Sequence, residues 1–353
     1  MKLLYSGNWA LCEGAIHAGC DAYFGYPITP QNEVPQYMSV RMPEEGRVFL
    51  QSESELAAIS MVMGAAATGK RVMTSSSSPG ISLMQEGISY MCGCELPAVI
   101  VNVVRGGPGL GSIGPAQSDY FQAVRGGGHG DYNMCVLAPT SVQETFDLVF
   151  MAFDLAFKYR NPVMILTDGL LGQMMEPLEI RKPDYVTVRD VPDDVADWAL
   201  TGAAGRPGRH HKSLLIDVEK LERHNRRLQE KFLRMQAECR FETILTEDAE
   251  FLFVAYGISM RACREAVKRL REKGIKAGLL RPITLWPFPE QWLREHAARF
   301  TKILCVELSC GQMVMDVRLA VEGRCPVSFY GRSGGVVMTV DELVAAAEKE
   351  FTR

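Results

Sequence analysis

The sequence lacks the features of a membrane or secreted protein. No apolar run reaches the roughly 18 residues that a membrane-spanning helix requires. The opening stretch, MKLLYSGNWALCEGA, has neither the long apolar segment nor the small-residue cleavage site of a signal peptide. We therefore expect a cytoplasmic protein with no membrane association.

Clustered metal-binding cysteines are also missing. The 10 cysteines are scattered, and none forms a CxxC pair. The closest two, Cys92 and Cys94, have no second pair to complete the four thiolates of a zinc site or an iron–sulfur cluster. We predict no metal site in this chain. We interpret nearly all of the cysteines as small buried side chains in a reducing compartment.

The charge balance excludes a further class of protein. The chain has 38 basic and 42 acidic side chains and a net charge of -4, so it lacks the positive surface that is typical of nucleic-acid-binding proteins. Its 353 residues, of which 47% are hydrophobic and 23% charged, are typical of a globular protein with two or three domains.

Residues 10–168 show a regular alternation of strand-like and helical segments. The predicted strands are Ala22–Tyr26, Arg71–Thr74, Ala98–Val104, Met134–Ala138 and Val163–Thr167. The predicted helices are Glu53–Thr68, Gly80–Cys92 and Ser141–Tyr159, and the last of these begins with the capping-box pattern of Thr140/Ser141 and Glu144. This alternation predicts an α/β fold with a doubly wound parallel sheet.

The rest of the chain divides near residue 250. Before that point, the sequence is rich in proline and charge and includes a long helical stretch. Its apolar stripe is formed by Val218, Leu221, Leu228, Phe232 and Met235. The stripe packs either on its own chain or on another subunit.

A second α/β unit follows. It has predicted strands at Phe251–Tyr256, Lys276–Leu280, Ile303–Glu307 and Val327–Phe329, and a helix at Met260–Lys273. We therefore predict three parts: an α/β domain at 1–175, a linker at 176–249 that contains the long helix, and a smaller α/β domain at 250–353.

One glycine-rich motif offers an alternative function. Gly109–Gly114 matches the GxGxxG fingerprint of dinucleotide-binding proteins and follows the predicted strand Ala98–Val104. The fingerprint also requires a helix that opens directly from the glycines and an acidic residue at the end of the next strand. Asp131 has about the right spacing but follows a glycine-rich loop. This motif therefore keeps an NAD-dependent dehydrogenase as an alternative function of the protein.

Three segments lie at the predicted carboxyl ends of strands, where open α/β sheets bind ligands. In the first, 25–30, two prolines stiffen the loop around Thr29. The second, 51–59, leads into a helix with Glu53 and Glu55. The third brings Arg105 into a glycine-rich loop, where a guanidinium group either ties loops together or binds a carboxylate or phosphate.

Together these segments resemble the 2-oxoacid:ferredoxin oxidoreductases, and specifically the subunit with the pyrimidine side of their thiamine diphosphate site. The resemblance includes YPITP at 26–30, ESELAAISMVMGAAATGK at 53–70, TSSSSPG at 74–80, VVRGGPGLG at 103–111 and RNPVMILTDG at 160–169. It continues through AYG at 255–257, RPITLWPF at 281–288 and GRSGG at 331–335. The resemblance implies a pyrimidine-type thiamine-diphosphate-binding domain followed by a domain like the C-terminal domain of transketolase.

The resemblance also implies roles for individual residues. Glu55, rather than Glu53, corresponds to the carboxylate that activates the cofactor by hydrogen bonding to its pyrimidine ring. Thr29 and Arg105 correspond to the residues that receive the 2-oxoacid. The remaining implied cofactor contacts are Tyr26, Pro27, Ile28, Ser76 and Ser77.

The implied reaction converts a 2-oxoacid, CoA and oxidised ferredoxin to acyl-CoA, CO2 and reduced ferredoxin. The glycine-rich sequence after Arg105 is similar to that of the 2-oxoisovalerate (branched-chain) members, with 2-oxoglutarate as the alternative substrate. The chain has no GDG motif, which usually holds the magnesium and diphosphate in thiamine enzymes. We therefore expect partner subunits to supply the diphosphate site, the magnesium and the iron–sulfur clusters. A scaffold that has kept the fold and lost the chemistry is a further alternative.

Overall fold

The computed structural model describes residues 2–351 as strands and helices connected by loops, of which the longest lie at 105–119, 180–194 and 199–217. The strands are β1 (Lys2–Ser6), β2 (Ala22–Gly25), β3 (Val48–Gln51), β4 (Val72–Ser76), β5 (Ala98–Val104), β6 (Cys135–Leu137), β7 (Pro162–Asp168), β8 (Met175–Glu179), β9 (Phe241–Ile244), β10 (Phe251–Ala255), β11 (Ala277–Pro282), β12 (Thr284–Trp286), β13 (Lys302–Glu307) and β14 (Val327–Gly331).

The α-helices pack around these strands. They are α1 (Gly7–His17), α2 (Glu33–Glu44), α3 (Glu55–Ala67), α4 (Ser78–Cys94), α5 (Tyr120–Arg125), α6 (Val142–Tyr159), α7 (Gly169–Gln173), α8 (Val195–Trp198), α9 (Val218–Met235), α10 (Gly257–Glu272), α11 (Glu290–His296), α12 (Met313–Val321) and α13 (Val340–Phe351). Over the range 2–351, no helix combines the length and apolar character needed to cross a membrane.

The larger sheet of the described chain has the strand order β12-β6-β7-β5-β4-β2-β3. All its neighbours are parallel except β12, which pairs antiparallel with β6 at one edge. Helices cover both faces, so the central strands β4, β5 and β7 are buried along their whole length. The predicted doubly wound α/β fold is confirmed.

The local sequence signals agree closely with these elements. The predicted strand at 98–104 coincides with β5, and the other predicted strands of the first half differ from the observed strands by one or two residues at their ends. The capping box also forms: the Ser141 hydroxyl accepts from the Glu144 amide (3.1 Å), and the Glu144 carboxylate accepts from the Thr140 amide (2.9 Å). These two contacts fix the first turn of α6.

The smaller sheet has the order β14-β13-β10-β11-β9, with β9 antiparallel and the other strands parallel. Two strand pairings connect different predicted parts of the chain. Strand β12, from the part at 250–353, joins the larger sheet beside β6, and β8, mostly from the part at 176–249, pairs antiparallel with β1. The division at 1–175, 176–249 and 250–353 stays a prediction.

The long helix of the middle segment is α9. Its carboxyl-terminal half packs on its own chain: Leu228, Phe232 and Met235 are buried, and the Phe232 ring meets Trp286 edge-on. Val218, at the start of the stripe, is 76% exposed. Packing on the same chain therefore explains the burial of the apolar stripe in the last two turns of α9.

The cysteines are mostly buried, as predicted. Of the 10, only Cys310 is exposed and Cys239 is intermediate, and all are free thiols. Burial raises the pKa of Cys20 and of Cys92 to about 12, because a thiolate is poorly solvated in an apolar interior. These thiols therefore stay protonated near neutral pH.

Asp168, at the end of β7, gives a pH-dependent contribution to stability. Its carboxylate caps α7 by accepting from the amides of Leu170 (2.9 Å) and Leu171 (3.1 Å). Complete burial nevertheless raises its pKa from 3.8 to about 6. Folding therefore favours the protonated carboxyl. This contribution is fully present below pH 3.8 and is lost as pH rises through about 6.

We expect Asp168→Asn to remove this contribution, because asparagine keeps an acceptor oxygen without the charge. Between pH 4 and 7, the free energy of unfolding of the wild type should fall relative to that of the variant as pH rises. Urea unfolding of both proteins at several pH values measures the difference. A constant difference would contradict this assignment.

Candidate functional site

The candidate site lies at the carboxyl edge of the larger sheet. The parallel strands β2, β3, β4 and β5 all end there, so the loops that follow them converge. The residues predicted to bind the cofactor and the 2-oxoacid lie in or beside these loops: 26–29 after β2, Glu55 after β3, Ser76 and Ser77 at and after the end of β4, and Arg105 after β5.

The loop after β2 is fixed by a buried polar network. The Ser75 hydroxyl donates to Gln31 Oε1 (2.5 Å) and also bonds to the Tyr23 hydroxyl (2.7 Å). Gln31 in turn donates through Nε2 to the carbonyl of Tyr26 (3.2 Å). This chain of contacts connects β4 to the loop and sets the position of Tyr26.

Glu55 is the first residue of α3 and is buried, with 6% of its surface exposed. The Ser54 hydroxyl caps the helix by accepting from the Ala57 amide (3.3 Å). Within residues 2–351, the Glu55 carboxylate makes no hydrogen bond or ion pair. Glu53, by contrast, is exposed and accepts from the Ser54 hydroxyl (2.9 Å). The two carboxylates therefore have different environments, and only Glu55 is buried and unpaired.

Gly80, near the start of α4, lies directly against Glu55. A Cβ atom at position 80 would lie 2.4 Å from Glu55 Oε1 and 2.1 Å from Ser76 Oγ. Both distances are far below normal contact, so only glycine leaves room for the two side chains in this arrangement. The structure thus brings the predicted residues Glu55 and Ser76 together around Gly80.

Three hydroxyl groups on β4 and just after it are buried without a partner. They belong to Thr74, Ser76 and Ser77, and none of them has a hydrogen bond in the described chain. A buried hydroxyl without a partner loses its hydration energy, so natural proteins seldom keep several together. These hydroxyls and the Glu55 carboxylate therefore form a group of polar atoms that are available to a ligand.

Arg105 ties two loops together. Its Nη1 donates to the Thr29 carbonyl (2.9 Å), its Nη2 donates to the Leu110 carbonyl (3.0 Å), and its Nε has no partner. The guanidinium is buried and forms no ion pair with a carboxylate among residues 2–351. The Thr29 hydroxyl accepts from Asn32 Nδ2 (3.2 Å). Thr29 and Arg105 are therefore neighbours, and the positive charge of Arg105 is uncompensated.

The glycine-rich loop that follows does not have the geometry of a dinucleotide fingerprint. No helix opens from Gly109–Gly114, because the next helix, α5, begins at Tyr120. The loop packs instead on the turn that follows β14: the Ser112 hydroxyl donates to the Gly334 carbonyl (3.0 Å), and a Cβ atom at Gly114 would lie 2.7 Å from Gly335 Cα. These glycines permit a close approach between loops, and the predicted alternative of NAD binding is wrong on this geometry.

Sequence reasoning missed the residues that support the site. Asn102 is fully buried in β5; its Oδ1 accepts from the Ser78 amide (3.1 Å) and its Nδ2 donates to Asp119 (2.8 Å). Burial raises the pKa of the Asp119 carboxyl. An asparagine in the otherwise apolar strand AVIVNVV is the signal that could have identified it, because a buried amide needs partners.

The fold and the site together describe an α/β protein whose unpaired polar groups lie at the carboxyl edge of a parallel sheet. Residues 13–201 match the family model described as pyruvate flavodoxin/ferredoxin oxidoreductase, thiamine diP-bdg. Residues 249–343 match pyruvate:ferredoxin oxidoreductase core domain II. The chain belongs to the 2-oxoacid:ferredoxin oxidoreductase family, as an alpha-type subunit.

Individual relatives refine this assignment. The chain is 52% identical to ketoisovalerate oxidoreductase subunit VorB of Methanothermobacter thermautotrophicus, over 97% of this chain and 96% of the relative. It is 39% identical to the 2-oxoglutarate synthase subunit KorA of the same organism, over 96% of each chain. Among solved structures, it is similar to a 2-oxoglutarate:ferredoxin oxidoreductase from Magnetococcus marinus, with a TM-score of 0.85 and 28% identity. The match covers 99% of this chain and 65% of that one.

The residues present fit the pyrimidine end of thiamine diphosphate. An aminopyrimidine ring offers nitrogen acceptors and an amino donor, which suit a buried carboxylate and hydroxyl groups without partners. Glu55, Ser76 and Ser77 provide these groups, and the absence of a side chain at Gly80 keeps the space between them open. This chain's residues could therefore hold the ring portion of the cofactor.

We expect Gly80→Ala to impair cofactor binding. The added methyl group would collide with Glu55 and Ser76, and relief of such overpacking typically costs 1–3 kcal/mol, so affinity for thiamine diphosphate should fall about 5–150-fold. The matched control is Gly64→Ala on α3, where a Cβ atom meets nothing within 4 Å. Calorimetric titration of the purified complex compares the two variants. Equal affinity in Gly80→Ala and wild type would exclude this close packing.

Proposed function

We propose that this chain is the thiamine-pyrimidine-binding subunit of a 2-oxoacid:ferredoxin oxidoreductase that acts on 2-oxoisovalerate and related branched-chain 2-oxoacids. The observation that carries the proposal is the buried, unpaired Glu55 carboxylate beside Ser76 at the carboxyl edge of the sheet. The reaction would convert the 2-oxoacid, CoA and oxidised ferredoxin to acyl-CoA, CO2 and reduced ferredoxin.

In this proposal, the individual residues of this chain have different roles at the cofactor. Glu55 holds a proton in a hydrogen bond to a ring nitrogen of the cofactor, which when bound supplies the carbanion chemistry of decarboxylation. Ser76 and Ser77 orient the ring through their free hydroxyls. Burial of Glu55 keeps competing water away from this hydrogen bond.

The substrate would bind at the other side of the loop after β4. The Arg105 guanidinium keeps its Nε proton and further Nη protons available for the carboxylate of the 2-oxoacid. The Thr29 hydroxyl lies on the adjacent loop and can donate to the same substrate. Tyr26, Pro27 and Ile28 precede Thr29 on the same loop, and the proposal assigns them to the cofactor.

Catalysis in this proposal requires partner subunits. The relatives are named as subunits, and the chain covers 65% of the matched chain in the solved structure. We propose that partner subunits supply the site for the diphosphate and magnesium, together with the iron–sulfur clusters that pass electrons to ferredoxin.

The proposed substrate class rests on the ranking of relatives, with 52% identity to a ketoisovalerate subunit and 39% to a 2-oxoglutarate subunit. The test is anaerobic, CoA-dependent reduction of a low-potential dye by the complex purified with this chain. The kcat/KM for 2-oxoisovalerate should exceed the values for 2-oxoglutarate and pyruvate. A preference for 2-oxoglutarate would overturn the substrate assignment, and no turnover by a cofactor-loaded complex would favour the scaffold alternative.

A further inference from the structure

A second, strongly cationic cavity lies in another part of the molecule. It has a volume of about 980 Å3 and lies between the middle segment and the ends of α4 and α6. Six of its lining side chains carry a positive charge: Arg160, Arg209, Lys212, Lys220, Arg223 and Arg227. The lining has two carboxylates, Glu95 and Asp197, and three of the chain's 6 histidines. This concentration of positive charge occurs in a chain with a net charge of -4.

Contacts with the end of a helix account for only some of these positively charged side chains. His224 contacts the Gly93 carbonyl (2.7 Å) at the end of α4, and Arg227 pairs with Glu95 (3.3 Å), as cations at a carboxyl-terminal end of a helix commonly do. In contrast, the Lys212 side chain has no hydrogen bond or ion pair within the described residues. Arg223 makes only a long contact (3.7 Å) with Glu219. These two side chains are therefore available to bind an external anion.

The inner wall of the cavity also has polar atoms without partners. The Arg160 guanidinium stacks on the Trp198 ring, 4.8 Å from its centroid. Both Arg160 Nε and Trp198 Nε1 are buried and have no hydrogen-bond partner. Trp198 is 6% exposed, so its indole N–H has lost its hydration without compensation. Both unpaired groups are donors, which an anionic ligand would satisfy.

The cavity lies at the opposite edge of the sheet from the candidate site. Gly93 lies in the last turn of α4, on the amino-terminal side of β5, and Arg160 lies between α6 and the start of β7, whereas Ser76 and Arg105 lie at the carboxyl ends of β4 and β5. The seven residues of β5 span about 20 Å at roughly 3.3 Å per residue. A ligand here therefore does not contact the residues assigned to the cofactor or the 2-oxoacid.

We propose that this cavity binds a small ligand with two or more phosphate groups. Its volume matches the roughly 300–1,000 Å3 of small-molecule sites. Arginine and lysine side chains bind phosphate oxygens through charge-assisted hydrogen bonds, and several such groups are needed to balance a pyrophosphate. This inference goes beyond the proposed function and does not depend on it.

Calorimetric titration of the full-length protein with ADP and with inorganic pyrophosphate tests the proposal. We expect both probes to bind, and the double variant Lys212→Ala/Arg223→Ala to weaken binding at least about 10-fold. Both side chains are exposed, so the substitutions should leave the thermal unfolding temperature unchanged. The matched control is Lys182→Ala/Lys268→Ala, which removes two exposed lysines elsewhere and should bind as the wild type does.

Three results would overturn the proposal. The first is no heat of binding for either probe at millimolar concentration. The second is an equal loss of affinity in the cavity variant and the control, which would indicate a general charge effect. The third is competition by poly-glutamate as effective as that by ADP, which would indicate a surface for an acidic protein instead of a phosphate site.

Discussion

Glu55→Gln should lower turnover of the assembled complex by about 10²–10⁴-fold, the loss typical of a removed acid–base group. Glutamine has nearly the same shape, so the α3 terminus and its Ser54 cap should remain intact. Its amide, however, cannot hold the proton that the proposed function assigns to the Glu55 carboxylate. The measurement is the kcat of dye reduction, with cofactor content determined in the same samples.

Glu53→Gln is the matched control for this prediction. Glu53 is exposed and lies two residues before Glu55, where its carboxylate contacts only the Ser54 hydroxyl. Turnover should therefore stay near the wild-type value. A Glu55→Gln complex that turns over normally would remove Glu55 from the mechanism, whereas equal losses in both variants would indicate damage to the start of α3.

Arg105→Leu should raise the KM for the 2-oxoacid by about 10–100-fold, since a charge-assisted hydrogen bond contributes about 1.5–3 kcal/mol. Leucine fills much of the same space but removes the positive charge and all donors. The contacts to the Thr29 and Leu110 carbonyls are lost as well, so the loop after β5 becomes less constrained. The KM values for the 2-oxoacid and for CoA should be measured together.

A comparison with Arg105→Lys separates substrate binding from loop anchoring. Lysine keeps the charge but cannot form the forked contacts to two carbonyls. If Arg105 binds the substrate carboxylate, the KM in Arg105→Lys should lie between those of wild type and Arg105→Leu, with cofactor affinity unchanged in all three. An unchanged KM in Arg105→Leu would show that the guanidinium only ties the loops together.

Local patterns predicted the central strands and the five longest helices well, because these elements have signals of their own. The apolar run of β5 and the capping box of α6 are both properties of neighbouring residues. The parallel sheet followed from their alternation. Since the carboxyl ends of parallel strands meet at one edge, the sequence also predicted that residues such as Glu55 and Arg105 lie at the same edge of the sheet.

Contacts between distant residues were not predictable in this way. The bond from Ser112 to Gly334 joins residues 222 positions apart, and no local pattern records it. The edge strand β12 has three residues and an irregular register, so it gave too short a signal to indicate its place in the larger sheet. The dependence of Glu55 on Gly80 likewise arises from packing between two helices, which only the three-dimensional arrangement shows.

The central claim, that Glu55 activates the cofactor held at this edge of the sheet, has one direct test. In the purified complex loaded with thiamine diphosphate, the rate at which the thiazolium proton exchanges for deuterium can be measured by quench and NMR without any 2-oxoacid. We predict exchange at least about 10²-fold slower in Glu55→Gln than in wild type and in Glu53→Gln. Equal exchange rates in all three complexes would contradict the account.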